Sequence, residues 1–364
     1  MREIVILAVV GPFLLALAGT YIVRRWARRV EFVDRPSGHK RHAAPVALGG
    51  GIAILVAVCV PIVAGPLLAL LVKDGAPPRW LPELIVVHLD GIASKLASII
   101  AIVAGAVVLH IVGLLDDRRA LGPWAKLIVQ VIVALFIAGV VGIRAVEALP
   151  APLSVAVTVL WIVLITNAFN FLDNMDGLSA GVAAVSAAIF ALASMAAGQV
   201  FVPMLALVLV GAALGFLVFN FSPATIFMGD AGSLVIGYLM SVLTILTTFY
   251  DPAQGLKPLG VFVPVVVLAV PLYDTFSVVF HRVRLGKSPL VGDRRHFSHR
   301  LVKRGLSPRG AVLTVYLATA ATGLPAIILP RVDWLGAILI LVQCVCVVAI
   351  IAVLEHAAPA NTDA

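Results

Sequence analysis

Apolar runs of about 20 residues recur from one end of this chain to the other, separated by short polar breaks. A helix needs roughly 20 apolar residues to cross a bilayer, and the breaks define about eleven such runs: 4–23, 46–72, 97–115, 123–143, 153–171, 178–197, 201–221, 231–249, 259–280, 311–329 and 334–354. The pattern predicts an all-α integral membrane protein with about 11 transmembrane helices, forming one polytopic domain over residues 1–356 and a short disordered tail over 357–364. Composition agrees: 62% of the 364 residues are hydrophobic and 12% charged, against roughly 25% charged in a soluble domain.

Charge decides orientation. Lys and Arg number seven in 24–45, two in 116–122 and nine in 281–310, whereas the loops on the other face hold six in all. Basic residues favour the cytoplasmic side, so the N-terminus is expected outside and the tail inside. The first run is read as an uncleaved span, because Arg24, Arg25, Arg28 and Arg29 follow the apolar stretch, whereas a secretory signal carries its charge before it. The net charge of +8 belongs to this sorting and indicates no nucleic-acid partner. Cys59, Cys344 and Cys346 all lie in apolar runs and support neither a disulfide framework nor a thiolate metal site.

The acids then fall at cytoplasmic span ends, although only basic residues were used to orient the chain. Asp116 and Asp117 are adjacent, and two ionised carboxylates near a membrane need a cation or basic partners; a solvated helix end is the alternative. Asp173 and Asp176 lie three apart, with Asn170 three residues earlier, which on a helix would put all three on one face; a capping turn would explain the same residues. Asp230 follows Met228-Gly229, as a cation ligand or a bare N-cap. These five acids suggest a Mg²⁺–phosphate site. In the last cytoplasmic loop, His296, His299 and Arg300 suit phosphate oxygens. The first loop joins a basic stretch containing Lys40 to Gly49-Gly50-Gly51, which could hold a phosphate or serve only topology.

In order, the segments read D-x-P…K-R-H…P…G-G, G-L-x-D-D, N-A-x-N-x-x-D-x-x-D-G-L, F-x-P-A-x-x-F-M-G-D-x-G-S and D-R-x-H…H-R-L. This order, from Asp34 to about Leu301, resembles the polyprenyl-phosphate N-acetylhexosamine-1-phosphate transferases, glycosyltransferase family 4. The resemblance implies a plasma-membrane phosphotransferase that moves a sugar-1-phosphate, GlcNAc-1-phosphate by preference, from a UDP-sugar to undecaprenyl phosphate at the cytoplasmic face and releases UMP. It implies Mg²⁺, for which Mn²⁺ can substitute, a place in envelope polymer synthesis such as lipopolysaccharide, and allows a homodimer. Carried over by position, Asp116, Asp117, Asp173, Asp176 and His296 are catalytic, and Asp230 with Asp176 binds metal. Lys40, Asn170, Asn220, His299 and Arg300 contact substrate, and Phe227 stacks on uracil.

Two departures stand out. The usual H-x-H-H is His296-Phe297-Ser298-His299, and the usual D-G-x-D-G is Asp173-Asn174-Met175-Asp176-Gly177. The related phospho-MurNAc-pentapeptide transferases carry a threonine-containing loop and a histidine triplet that are missing here, which favours an aminosugar nucleotide. A transporter or flippase of lipid-linked sugars is the competing class, but transporters place ionisable groups near the membrane midplane.

Overall fold

The computed structural model describes residues 2–35, 45–75, 78, 83–286, 288 and 296–356; Lys40, the basic stretch around it and the expected tail lie outside these. The described chain is almost entirely helical: α1 (Arg2–Arg29), α2 (Gly50–Val72), α3 (Glu83–Val87), α4 (Leu89–Ser94), α5 (Leu96–Arg118), α6 (Pro123–Leu135), α7 (Ala151–Leu172), α8 (Leu178–Ala196), α9 (Phe201–Asn220), α10 (Asp230–Leu246), α11 (Val263–Val267), α12 (Ala269–Arg284), α13 (Phe297–Lys303), α14 (Pro308–Ala326) and α15 (Trp334–His356). A minimal antiparallel pair, β1 (Val33–Asp34) and β2 (Val46–Ala47), closes the base of the first loop.

All eleven predicted runs are helical, but the count of spans changes. Among the described residues, eight helices are long and apolar enough to cross a membrane, or nine if α11 and α12 with the short turn before them form one span bent by 65°. The bend has a local cause. Pro271 cannot donate to the carbonyl of Val267, and its ring crowds that turn. At 17 residues, α10 is shorter than a typical span, and α14 carries Thr314, Thr319 and Thr322, which dilute its apolar character. The expected loop 72–96 also contains α3 and α4, whose apolar positions Leu89 and Ala93 pack beneath α2.

α10 is the axis of the bundle. It packs on α2, α5 and α7, and every residue from Ala231 to Thr244 is buried, as expected of a helix apolar on all sides. Such close approach depends on missing side chains. A Cβ at Gly113 of α5 would overlap the backbone of Asp230 and Ala231, and one at Gly51 of α2 would overlap that of Ala231 and Gly232. Small residues thus bring three helix backbones together where the polar motifs sit.

The segment before α10 is held from the other side. Ile226 bridges Ala47 in parallel, the Phe227 amide donates to the Ala47 carbonyl at 2.8 Å, and the carbonyls of Phe227 and Met228 accept from Gly50 and Gly51 at 3.0 and 3.1 Å. Two otherwise unpaired amides at the start of α2 are satisfied in this way. Gly113→Ala should therefore lower the thermal unfolding midpoint in detergent and abolish activity, with a loss of about 1–3 kcal/mol from overpacking. Gly65→Ala, at a position with no neighbour within 4 Å, should leave the midpoint unchanged or raise it.

Candidate active site

The ends of α5, α7 and α9 and the starts of α6, α8 and α10 meet at one end of the bundle, and the acidic motifs meet with them. Asp117, in the last turn of α5, accepts from the Asp230 amide through Oδ1 at 2.9 Å and from the Ala231 amide through Oδ2 at 3.3 Å. A carboxylate from a distant helix thus caps the N-terminus of α10, satisfying its free amides and complementing its dipole. Gly229 takes a positive φ of 70°, which favours glycine, and a Cβ there would strike the Asp117 carboxylate. The glycine before Asp230 is a requirement of this cap.

Asp230 is oriented by three elements. Asn170 of α7 donates to its Oδ1 at 3.0 Å and to Ser233 Oγ at 2.9 Å, and Lys126 of α6 donates to its Oδ2 at 2.5 Å. The same ammonium lies 2.9 Å from Asp116 Oδ2, while Asp116 Oδ1 accepts from the Leu121 amide at 2.8 Å. Lys126 is the shared counter-charge of two motifs. Sequence reasoning missed it, because a single Lys inside the apolar run 123–143 stands in no motif.

Asp173 sits just beyond α7, and its carboxyl is pushed up to about 8, first by burial and then by the charges of Asp230, Asp117 and Asp176. Negative charge at this point exceeds what Lys126 offsets. Asp176 serves a different neighbour, its Oδ2 accepting from the Ala224 amide at 2.9 Å. Asn220, 3% exposed, accepts from the Gly177 amide at 3.0 Å and donates to the Ile226 carbonyl at 3.0 Å, tying the acidic turn to the segment that carries Phe227. Its amide is committed to the fold of the loop. Phe227 is half-buried beside this junction.

The histidine segment docks on the same end. His296 Nδ1 is 2.8 Å from Asp274 Oδ2, and its ring packs edge-on to Phe171 and His299. Ser298 donates to Asn174 Oδ1 at 2.7 Å, and Asn174 donates to the Phe171 carbonyl at 2.7 Å. Arg300 reaches Ser277 Oγ and lies 2.9 Å from Glu355 of α15, which also accepts from the Tyr273 hydroxyl at 2.8 Å. Arg300 therefore fastens the last helix to the site. Asp274 and Glu355 were missed, the first a lone acid inside an apolar run and the second just past the last run, each with a partner distant in sequence.

Among the described residues, no three His, Cys, Asp or Glu side chains are grouped to hold a metal. What is present suits a hard cation that takes one or two carboxylates and completes its shell with water and substrate phosphate, as Mg²⁺ does. Lys126→Gln should leave Asp116 and Asp230 without their common partner. The unfolding midpoint should fall, by the equivalent of about 1–3 kcal/mol because the pair is only partly desolvated, and turnover should be lost. An unchanged midpoint with normal turnover would show that the carboxylates do not depend on it.

Comparison with known proteins matches this site to a family. The sequence model of glycosyl transferase family 4 matches residues 99–248, the stretch holding Asp116, Asp117, Asp173, Asp176 and Asp230. A probable undecaprenyl-phosphate N-acetylglucosaminyl 1-phosphate transferase of Bacillus subtilis is 32% identical over 93% of this chain and 88% of its own. A decaprenyl-phosphate N-acetylglucosaminephosphotransferase of Mycolicibacterium smegmatis is 33% identical over 85% of this chain and 79% of its own. The undecaprenyl-phosphate alpha-N-acetylglucosaminyl 1-phosphate transferase of Escherichia coli K12 is 26% identical over 85% and 80%. With its acids, glycines and histidines gathered at one end of a helical membrane bundle and this similarity along most of its length, the chain belongs to glycosyl transferase family 4.

Proposed function

We propose that this protein transfers GlcNAc-1-phosphate from UDP-GlcNAc to undecaprenyl phosphate at the cytoplasmic face of the plasma membrane, releasing UMP and leaving a polyprenyl-diphosphate sugar for envelope polymer synthesis. One observation carries the reading: Asp230, at a capped helix N-terminus, is the point on which Asp117, Asn170 and Lys126 converge. Relatives named for this reaction supply the substrate class. A transporter is not supported, since these ionisable groups lie at one end of the bundle.

Asp230 and Asp173 would hold Mg²⁺, the charge of Asp230 acting directly on Asp173; Asp176, the other carboxylate of the acidic turn, also accepts from the Ala224 amide. When bound, the ion would neutralise diphosphate charge and polarise the phosphorus under attack. An oxygen of the prenyl phosphate forms the new bond to the sugar-bearing phosphorus while the bridging oxygen leaves with UMP. A phosphate monoester loses its second proton near pH 6, so no strong base is needed. Asp117, with both oxygens on backbone amides, positions Asp230 instead of moving a proton. Lys126 holds a positive charge between Asp116 and Asp230 that is available to phosphate oxygens, and His296 and His299 offer ring nitrogens to the same groups. Phe227 is the platform for uracil.

Purified protein given UDP-GlcNAc and undecaprenyl phosphate should release UMP and form the diphosphate-linked sugar, and excess EDTA should stop both. Asp230→Asn should lose at least about a hundredfold in turnover, equivalent to roughly 2.7 kcal/mol, while keeping its expression and membrane insertion. Full turnover in EDTA, or by Asp230→Asn, would overturn the metal assignment.

Asp173 adds a pH test. Its carboxyl, raised to about 8 without metal, must give up its proton when the cation binds. The half-saturating Mg²⁺ concentration should therefore rise as pH falls from 8 to 6.5, by up to about tenfold per unit for one displaced proton. Asp173→Asn should flatten this dependence beyond what the substrates contribute.

A further inference from the structure

We infer that Asp274 is a positioning residue for His296, fixing which imidazole nitrogen is presented to the substrate. The inference rests on the reading of His296 as a substrate-facing group in the transfer reaction.

Asp274 belongs to none of the acidic motifs. It lies inside α12, in an apolar run, with no exposed surface. An ionisable residue so placed is costly and calls for a named partner and a function. Both its oxygens are engaged by consecutive residues of the histidine segment: Oδ2 lies 2.8 Å from His296 Nδ1, and Oδ1 accepts from the Phe297 amide at 3.0 Å.

An ionised carboxylate only accepts hydrogen bonds, so Nδ1 must carry the proton in this contact. The ring is then fixed in orientation as well as tautomer, and Nε2 is the nitrogen left for the substrate whether the ring is neutral or charged. The other neighbours restrict the ring further. It is 5% exposed and packs against Phe171 at 6.1 Å, two residues before Asp173. Asp274 thereby sets the histidine at the rim of the acidic turn. A carboxylate holding the inner nitrogen of a working imidazole is a recurrent arrangement, in which removing the charge without changing the geometry strongly lowers turnover through the wrong tautomer.

A purely structural tether would need only an acceptor for the Phe297 amide. Asp274→Asn separates the two roles: the amide oxygen can still accept from Phe297, but the NH₂ now faces Nδ1 and forces the proton to Nε2. The expected result is a fall in kcat of about a hundredfold, a change of less than about threefold in KM for UDP-GlcNAc, and an unchanged unfolding midpoint. In a His296→Gln background the same substitution should add little, because the two residues act as one unit.

Nitrogen-15 NMR of ring-labelled histidine in the unmodified protein provides a measurement independent of variant folding, and His296 should show a protonated Nδ1. Normal turnover by His296→Gln would sink the reading of His296 itself. Impaired His296→Gln with normal Asp274→Asn would overturn the present inference alone. Additive losses in the double variant, or an unprotonated Nδ1 in the parent protein, would also overturn it.

Discussion

The carboxylate of Asp117 on the first amides of α10 is the contact from which the rest of the site follows. A buried helix N-terminus needs acceptors for its amides, and a buried carboxylate needs donors; each supplies the other here. Charge opposite a helix dipole contributes about 0.3–2 kcal/mol, depending on burial. Geometry matters more than that sum. The contact brings α5 onto α10 closely enough to require glycine at 113 and 229, and it fixes the backbone of Asp230, to which Asn170 and Lys126 then bond. The backbone just upstream is laid against β2 and the start of α2, and Asn220 ties it to the acidic turn.

Much of this was legible in sequence because lipid imposes its own pattern. Apolar runs of bilayer length and the polar breaks between them appear wherever a helix meets lipid, and the acids stand out against that background. Features set by helix–helix contact left weaker traces. α10 is short because it is enclosed by protein, so lipid thickness does not dictate its length. The bend between α11 and α12 had its signal in Pro271, which span counting ignores. Lys126 and Asp274 are single charges in apolar runs, and Asp230 and His296, with which they pair, lie 104 and 22 residues away. No local spacing announces such pairs.

The two departures from the family pattern explain one another. Ser298 stands where a histidine is usual, and Asn174 where a glycine is usual, and the serine hydroxyl donates to the asparagine carbonyl at 2.7 Å. Ser298 is fully buried, so a larger side chain there would need the space that Asn174 fills. With Asp274 on His296 and Glu355 on Arg300, the bond makes a third anchor for the short helix α13. Three separate parts of the bundle hold a segment that sequence alone shows only as a basic loop.

The separation along the chain between Asp117 and the amides it caps, 113 residues, also dictates how the protein must be made. Asp116 and Asp117 are synthesised well before α10, and the cation that pairs with Asp116 in the finished fold, Lys126, follows only ten residues on in the same hairpin. The ammonium that bridges the two motifs thus has one of its partners beside it before the other has been made. Only the arrival of α10 completes their pairing. A chain interrupted between α6 and α10 would hold Asp117 without the two amides that it caps in the finished protein, a chemical difference between an unfinished product and a finished one.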